Sequence, residues 1–556
     1  MRSALFALLL LPFVTPHAEV PTPKVTKVQG PGQPFFATDI VLKNFGYVEE
    51  EFFYEGQANT YSAPEFGKNA EVTKSGIPFR SRILVRRPAA QSRFNGVVVV
   101  EWLNVTNGYD TDVLWLYQKE FLIREGYAWV GVSAQDGGMS RAPNGPKIVN
   151  AKRYASIDLT AGGTVTDASL NFDIYSQAGA AVKHVPEVLG GLKYSMVIAA
   201  GQSQSAGRMG PYLNGVHSRA PIYDAAMLTV NNQKMRTDLT IPVIKVLSET
   251  ERFNSRSEPD LPKVRVWNVA GATHSEQYSL LSRAAFLQRD LKLEAVDACE
   301  TPARSRVEIR YVYNAAIDAL ARWVKSGTEP AHAPLLEFDE TAAPVPQGRG
   351  GGSEKPLKRD AHGNIMGGIR LAEIAVPVAL ESGELCGLGG THKPFDDEKL
   401  NKLYPTHSDY VNKVAAASNA AVKAGFLLPA DADQTIDMAK RSIYGLGLRC
   451  GDLCADIRQF PSHPSSQLLS RQTQYLMIKG GEALVKFADD ATKLIAEGYT
   501  DPSKTKAKFA AAAAKMDAYI EKTKALKTQG NMPAETETLL TSQAAKLRDL
   551  LRAKQP

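Results

Sequence analysis

An α/β fold built on a mostly parallel central sheet is predicted by three observations. Short apolar runs recur through residues 96–269, in the manner of strands buried on both faces. Two of these runs bracket a helix-compatible stretch, the strand, helix, strand order of a parallel crossover. Several runs end directly in loops that carry serine, acid or histidine, and open parallel sheets place their sites at the carboxyl ends of strands.

Taken in order, the chain opens with one arginine and an apolar run from Ala4 to Val14, then Thr15-Pro16-His17-Ala18. This reads as an export signal, residues 1–18, cleaved near Ala18. The run is too short to be a permanent span, and no later stretch reaches the roughly 20 apolar residues that a span needs. A soluble product, secreted or periplasmic, is expected. Residues 19–88 mix runs such as Ile83-Leu84-Val85 with Gly and Pro and read as early antiparallel strands.

The run Gly96 to Glu101 reads as a buried strand, followed by the polar loop Val105-Thr106-Asn107-Gly108-Tyr109. A helix is expected over Asp112 to Glu125 and a second buried strand over Tyr127 to Val132. A further helix is expected from Asp173 to Leu189, which Pro186 shortens or kinks. The strand Ser195 to Ala200 then meets Gly201-Gln202-Ser203-Gln204-Ser205-Ala206-Gly207, and the helix-compatible stretch Arg208 to Leu213 follows.

This is the sequence of a nucleophile elbow. A strand that turns sharply into a helix needs small residues around the turn, because bulkier ones collide with the flanking strand and helix. The turn lifts a serine hydroxyl clear of the sheet, and the first N–H groups of the helix point at what it attacks. The usual pattern is G-x-S-x-G; Ser205 stands where the second glycine is expected.

Strands are also predicted at Asp224 to Val230, Pro242 to Leu247 and Val264 to Val269. The second of these ends in Ser248-Glu249-Thr250-Glu251, the third in Ala270-Gly271-Ala272-Thr273-His274. The order serine, acid, histidine is that of the α/β-hydrolase triad, which predicts an α/β-hydrolase fold with Ser203 as nucleophile and His274 as base. Glu251 is the preferred acid because it lies further out in its loop, with Glu249 close behind. His184 and His217 flank the elbow in sequence and are poorer candidates. For the oxyanion hole, one donor is expected from the Gln204 backbone and the second from Leu103, Asn104 or Val105. Trp102, Tyr109 and Trp115 are candidates to line an acyl site, with core packing expected for at least one of them.

The segments Glu101-Trp102-Leu103-Asn104-Val105, Gly201-Gln202-Ser203-Gln204-Ser205, Ser248-Glu249-Thr250-Glu251 and Val269-Ala270-Gly271-Ala272-Thr273-His274 resemble the alpha/beta hydrolase domain family. So do Arg322-Trp323-Val324, Asp360-Ala361-His362-Gly363-Asn364 with Gly367-Gly368-Ile369-Arg370, and Leu403-Tyr404-Pro405. The resemblance covers residues 38–447. It implies a serine hydrolase fold and hydrolysis of a carboxylic ester, and it carries over no particular substrate.

About 280 residues follow His274, well beyond the single closing helix of many such folds, here expected over Ala315 to Lys325. The hydrolase domain is expected over 19–447, with 331–352 as a Pro- and Gly-rich linker and 331–447 as a candidate cap. Short runs such as Ile369 to Ile374 read as edge strands. Residues 448–556 read as a helical region, with Asp501-Pro502 as an N-cap and first helical position. Packing of that region on the hydrolase domain is the preferred reading over a membrane-surface or partner-binding helix.

The whole composition fits this picture: 556 residues, 44% hydrophobic, 22% charged, an ordinary globular balance. Net charge is +6, but no long Lys/Arg run follows a phosphate backbone, so nucleic acid is not an expected partner. The four cysteines form an even set for disulfides, Cys450 with Cys454 and then Cys299 with Cys386. Zinc is disfavoured because there is no C-x-x-C and no His pair at ligand spacing. No metal or organic cofactor is expected, and the expected partner is an ester substrate. The rivals are an amidase or peptidase using the same triad, and a catalytically silent binding protein on the same fold.

Overall fold

The structure is a computed structural model that describes residues 19–63, 66–251, 260–297, 299, 302–346, 353–455 and 464–554. The expected export signal, residues 1–18, lies outside the described residues. Nine strands form the central sheet: β1 (Lys24–Lys27), β2 (Tyr47–Tyr61), β3 (Val72–Pro88), β4 (Val97–Trp102), β5 (Ala128–Val132), β6 (Met196–Gln202), β7 (Ala225–Thr229), β8 (Val243–Ser248) and β9 (Val264–Val269). Their spatial order is β1-β2-β3-β5-β4-β6-β7-β8-β9. The first three strands and the β3–β5 pair are antiparallel, and every pairing from β5 through β4 to β9 is parallel. The parallel strands are buried along their full length, which is why most of their residues are apolar.

Alternation along β4 sorts the two helix layers. The Glu101 carboxylate accepts the Leu114 and Trp115 N–H groups at the start of α1 (Val113–Arg124), while Trp102 packs on Tyr175 of α2 (Asn171–His184) across the sheet. As expected from Pro186, α2 ends at His184 and a separate 3-10 turn, Pro186–Leu189, follows. The elbow helix α3 (Gln204–Pro211) packs on β6, and α4 (Gln277–Phe286) follows the histidine loop. The closing helix α5 (Ile309–Ser326) starts six residues before its expected Ala315, because Glu308 Oε1 is anchored by the Tyr475 hydroxyl and its Oε2 by Arg310.

The candidate cap, residues 331–447, divides between two places. Ile369 adds one parallel bridge to Val269 at the β9 edge, and residues Ala372–Ala375 form a helical turn, so the expected edge strand Ile369 to Ile374 is corrected. The small hairpin β10 (Ala379–Ser382) and β11 (Thr391–Pro394) carries the turn that reaches the acid and histidine loops. The helices α6 (His407–Lys423) and α7 (Pro429–Arg441) instead buttress the helix layer: buried Asp431 takes Arg124 of α1 at 3.0 Å and Asn314 of α5 at 2.9 Å. A carboxylate so committed ties α7 to the layer of α1 and α5.

Four helices close the chain: α8 (Ser466–Tyr475), α9 (Glu482–Thr500), α10 (Thr505–Thr528) and α11 (Ala534–Ala553). They enclose a core of their own that includes Phe509, Met516 and Ile520. The bundle docks on α4 and the turn after it: Tyr475 packs edge-on against Tyr278 of α4 at 4.5 Å, and Glu535 meets Arg289 just beyond the helix at 3.0 Å. Asp501 caps the entry to α10 by accepting the Ser503 N–H. Disulfides join Cys299 to Cys386 and Cys450 to Cys454. Among the described residues, no helix is long and apolar enough to cross a membrane.

Candidate active site

Ser203 occupies the turn between β6 and α3 at φ +57° and ψ −113°. A non-glycine residue held there costs about 1–3 kcal/mol, and the surroundings must supply it. The Ser203 N–H is held by Thr229 and its carbonyl by the Asn231 amide, at 2.9 and 3.0 Å. Gly201 is required by close approach, since a Cβ would sit 2.5 Å from Met209 Sδ and 3.1 Å from the Ala206 nitrogen. Ser205, the departure from the usual pattern, is fully buried; its hydroxyl donates to the Gln202 carbonyl at 2.9 Å and accepts the Gln202 N–H at 3.0 Å. The serine thus clamps the turn where a glycine would only fit it.

His274, five residues beyond the last pairing of β9, brings Nε2 to 2.6 Å from Ser203 Oγ and Nδ1 to 2.5 Å from Glu251 Oε1. A carboxylate can only accept, so Nδ1 carries the proton and Nε2 is free to accept from the serine hydroxyl. The second Glu251 oxygen accepts the Ser248 N–H at 3.1 Å and the Ser248 hydroxyl at 2.5 Å. Both ring and carboxylate keep a little solvent exposure, 14% and 11%. Glu249 points elsewhere. It is wholly buried and accepts Arg359 at 2.9 Å and the Ser382 hydroxyl at 2.8 Å. The short 3-10 turn over residues 249–251 sends the two acids in different directions.

The histidine loop is backed by the turn of the β10–β11 hairpin. Ser275 N–H donates to the Leu388 carbonyl, Ser305 N–H to Gly389, and Thr250 Oγ–H to Gly383. At Gly390, φ is +65° and a Cβ would lie 2.2 Å from Thr273, next to the histidine. The Cys299–Cys386 disulfide ties this turn to the segment before α5.

The Gln204 N–H lies in the first turn of α3, outside the helix's own hydrogen-bond ladder. Of the three candidates for a second donor, Leu103 N–H is given to Val132 and Asn104 N–H to Thr111. Val105 N–H is held at 3.3 Å by the side-chain oxygen of Gln204, which can rotate away as backbone partners cannot. Gln135 pairs with that same Gln204 amide in both directions, at 3.1 and 2.8 Å. Beneath the loop, Asp110 accepts from Ser133, which also takes Arg82 at 3.1 Å.

Trp102 is fully buried among Phe172, Tyr175 and Tyr212, and Trp115 packs against Trp129, so the candidate acyl-site role is corrected to core packing for both. Tyr109 lies edge-on to Phe36 at 5.3 Å beside the loop. His217 is a core residue: it accepts the Ile222 and Tyr223 N–H groups, and burial pushes its pKa down to about 4, so it stays neutral. Gln135 and Asn231 escaped sequence reading. They follow β5 and β7, and the strand-end rule that pointed to Glu251 and His274 would have found them.

Glu276 begins α4 with 1% exposure, accepting the Tyr117 hydroxyl at 2.7 Å. Burial pushes its carboxyl up from 4.5 to about 8. Between those values the folded chain holds a proton that the unfolded chain has released. Its stabilising contribution is therefore full below pH 4.5 and lost as pH rises through about 8. Glu276→Gln is expected to raise the melting temperature relative to wild type at about pH 9 and not at about pH 4. Parallel melting curves at both pH values would overturn this.

A mostly parallel sheet with a strained serine turn, a histidine and an acid at three strand ends defines the α/β-hydrolase class. The chain belongs to the family described as alpha/beta hydrolase domain, whose model matches residues 18–437. No curated protein matches the chain. Among solved structures, similar folds include an acetyl xylan esterase from Paenibacillus sp. R4, 12% identical over 46% of this chain and 84% of that one, with a TM-score of 0.25. A cold-adapted esterase from an Arctic intertidal metagenomic library is 11% identical over 40% and 84% of the two chains, with a TM-score of 0.22.

Proposed function

We propose that the protein is an exported serine hydrolase that cleaves carboxylic esters. The observation that carries the reading is the continuous chain Ser203 Oγ, His274 Nε2, His274 Nδ1, Glu251 Oε1, with links of 2.6 and 2.5 Å. Serine at its ordinary pKa is a weak nucleophile, so the imidazole takes its proton as Oγ attacks the ester carbonyl. Glu251 holds the tautomer and stabilises the imidazolium. The tetrahedral oxyanion receives the Gln204 N–H and, as the Gln204 side chain turns aside, the Val105 N–H. Each such donor is worth about 3–4 kcal/mol in the transition state. Imidazolium then protonates the departing alcohol, leaving an acyl-serine. Water attacks that ester by the same route, releasing the acid and restoring Ser203. Two disulfides support a secreted or periplasmic location, since such bonds persist in oxidising compartments.

The test is labelling by a fluorophosphonate together with hydrolysis of p-nitrophenyl esters. Wild type is expected to do both; Ser203→Ala is expected to take no label, with kcat lower by about 10^6-fold, as when a triad serine is removed. A folded wild type that neither takes the label nor turns over ester would leave the silent binding protein as the better account.

A further inference from the structure

The helix that follows His274 carries a cation the catalytic chain does not use. Arg283 lies on α4, and its Nε is buried without a hydrogen-bond partner. Tyr109, Arg304, Tyr117 and Asp297 lie near enough to act on its charge. The one acid among them, Asp297, is already committed to Arg304 at 3.0 Å. Burial, with Arg304 nearby, holds the guanidinium pKa below the usual arginine value, and among the described residues it has no ion-pair partner. A buried N–H left without an acceptor is costly, so this half-buried guanidinium invites an anion.

Its position says which anion. Ser279, one turn earlier on the same face of α4, is hydrogen-bonded at 2.9 Å to Ser275, the neighbour of His274. Phe286, on the same face, packs on Phe36, which packs on Tyr109. Tyr109 in turn lies on the loop that carries Val105, the candidate second oxyanion donor. Arg283 therefore shares a helix face with groups that reach both loops flanking Ser203.

We infer that Arg283 is an anion subsite, and that the favoured substrate is an ester bearing a free carboxylate on its acyl part. A planar guanidinium fork takes a carboxylate through two parallel hydrogen bonds. Tyr109 supplies a hydroxyl beside it. The inference names the substrate class for the proposed serine hydrolase and so rests on that reading.

Two measurements separate the claims. The first compares kcat/KM for mono-p-nitrophenyl glutarate with that for neutral p-nitrophenyl valerate. Wild type is expected to favour the anionic ester, and Arg283→Gln to lower that preference about 10- to 100-fold, mainly through KM, the range expected for hydrogen bonds to a charged group. Arg283→Lys is expected to restore part of it, which also shows that the site tolerates substitution. The second is calorimetric binding of monomethyl glutarate to Ser203→Ala protein, with and without Arg283→Gln, which needs no turnover. Turnover with an unchanged preference and no Arg283-dependent binding would overturn the subsite and leave the hydrolase standing. Arg283-dependent binding without turnover by wild type would keep the anion site and overturn the hydrolase reading. Absence of both would overturn both.

Discussion

Glu251→Gln is expected to lower kcat toward p-nitrophenyl esters by about 10^4-fold, the scale seen when a triad acid becomes an amide, with the protein still folded. The amide can offer N–H where the carboxylate accepted, so the imidazole is drawn into the tautomer that cannot take the serine proton. Ser248 adds to the effect, because its N–H and hydroxyl both donate to Glu251 Oε2 and need an acceptor there. Glu249→Gln is expected to do something different. Glu249 touches Arg359 and Ser382, not His274. Its loss should cost about 1–3 kcal/mol of stability, the price of an unmade buried charged hydrogen bond, and change kcat by less than about tenfold. Urea unfolding and steady-state kinetics on the two variants check this, and the reverse pattern would reassign the acid.

Arg86→Met is expected to destabilise the fold by about 3–5 kcal/mol, the usual cost of breaking a buried ion pair from one side. Arg86 is fully buried. It pairs with Glu49 at 2.7 Å and with Asp112, donates to the Phe36 carbonyl at 2.8 Å, and lies 4.6 Å from the rings of both Trp115 and Trp129. Methionine keeps much of the volume but leaves two carboxylates without their cation. Asp112 immediately precedes α1, so the loss should propagate to the loop from Asn104 to Thr111. The expected observation is a lower urea midpoint with an unchanged slope; a shift worth less than about 1 kcal/mol would show that water reaches the acids.

Much of the frame was legible because it depends on local pattern. Val97–Trp102, Met196–Gln202 and Val264–Val269 are buried on both faces, and such strands write themselves as apolar runs. The elbow is legible because close approach at Gly201 limits residue type. The choice between Glu249 and Glu251 was not, since it depends on a turn and on Arg359, more than a hundred positions away. Ile369 to Ile374 misled for a related reason: its apolar content serves one bridge and a helical turn packed below the histidine loop. Trp102 shows the limit of reading chemistry from residue type, because adjacency to the oxyanion loop along the chain puts its side chain on the opposite face from Glu101.

The Arg359 bond to Glu249 and the Cys299–Cys386 bridge also fix an order of assembly. By the time synthesis reaches Ser326, every strand of the sheet and Ser203, Glu251 and His274 have all been made. Arg359, Ser382 and Cys386 have not. Because a domain folds as a unit, the loops that carry Ser203, Glu251 and His274 gain the seam behind them only once the chain through Cys386 has been made. The covalent part of that seam, Cys299–Cys386, forms only where thiols are oxidised.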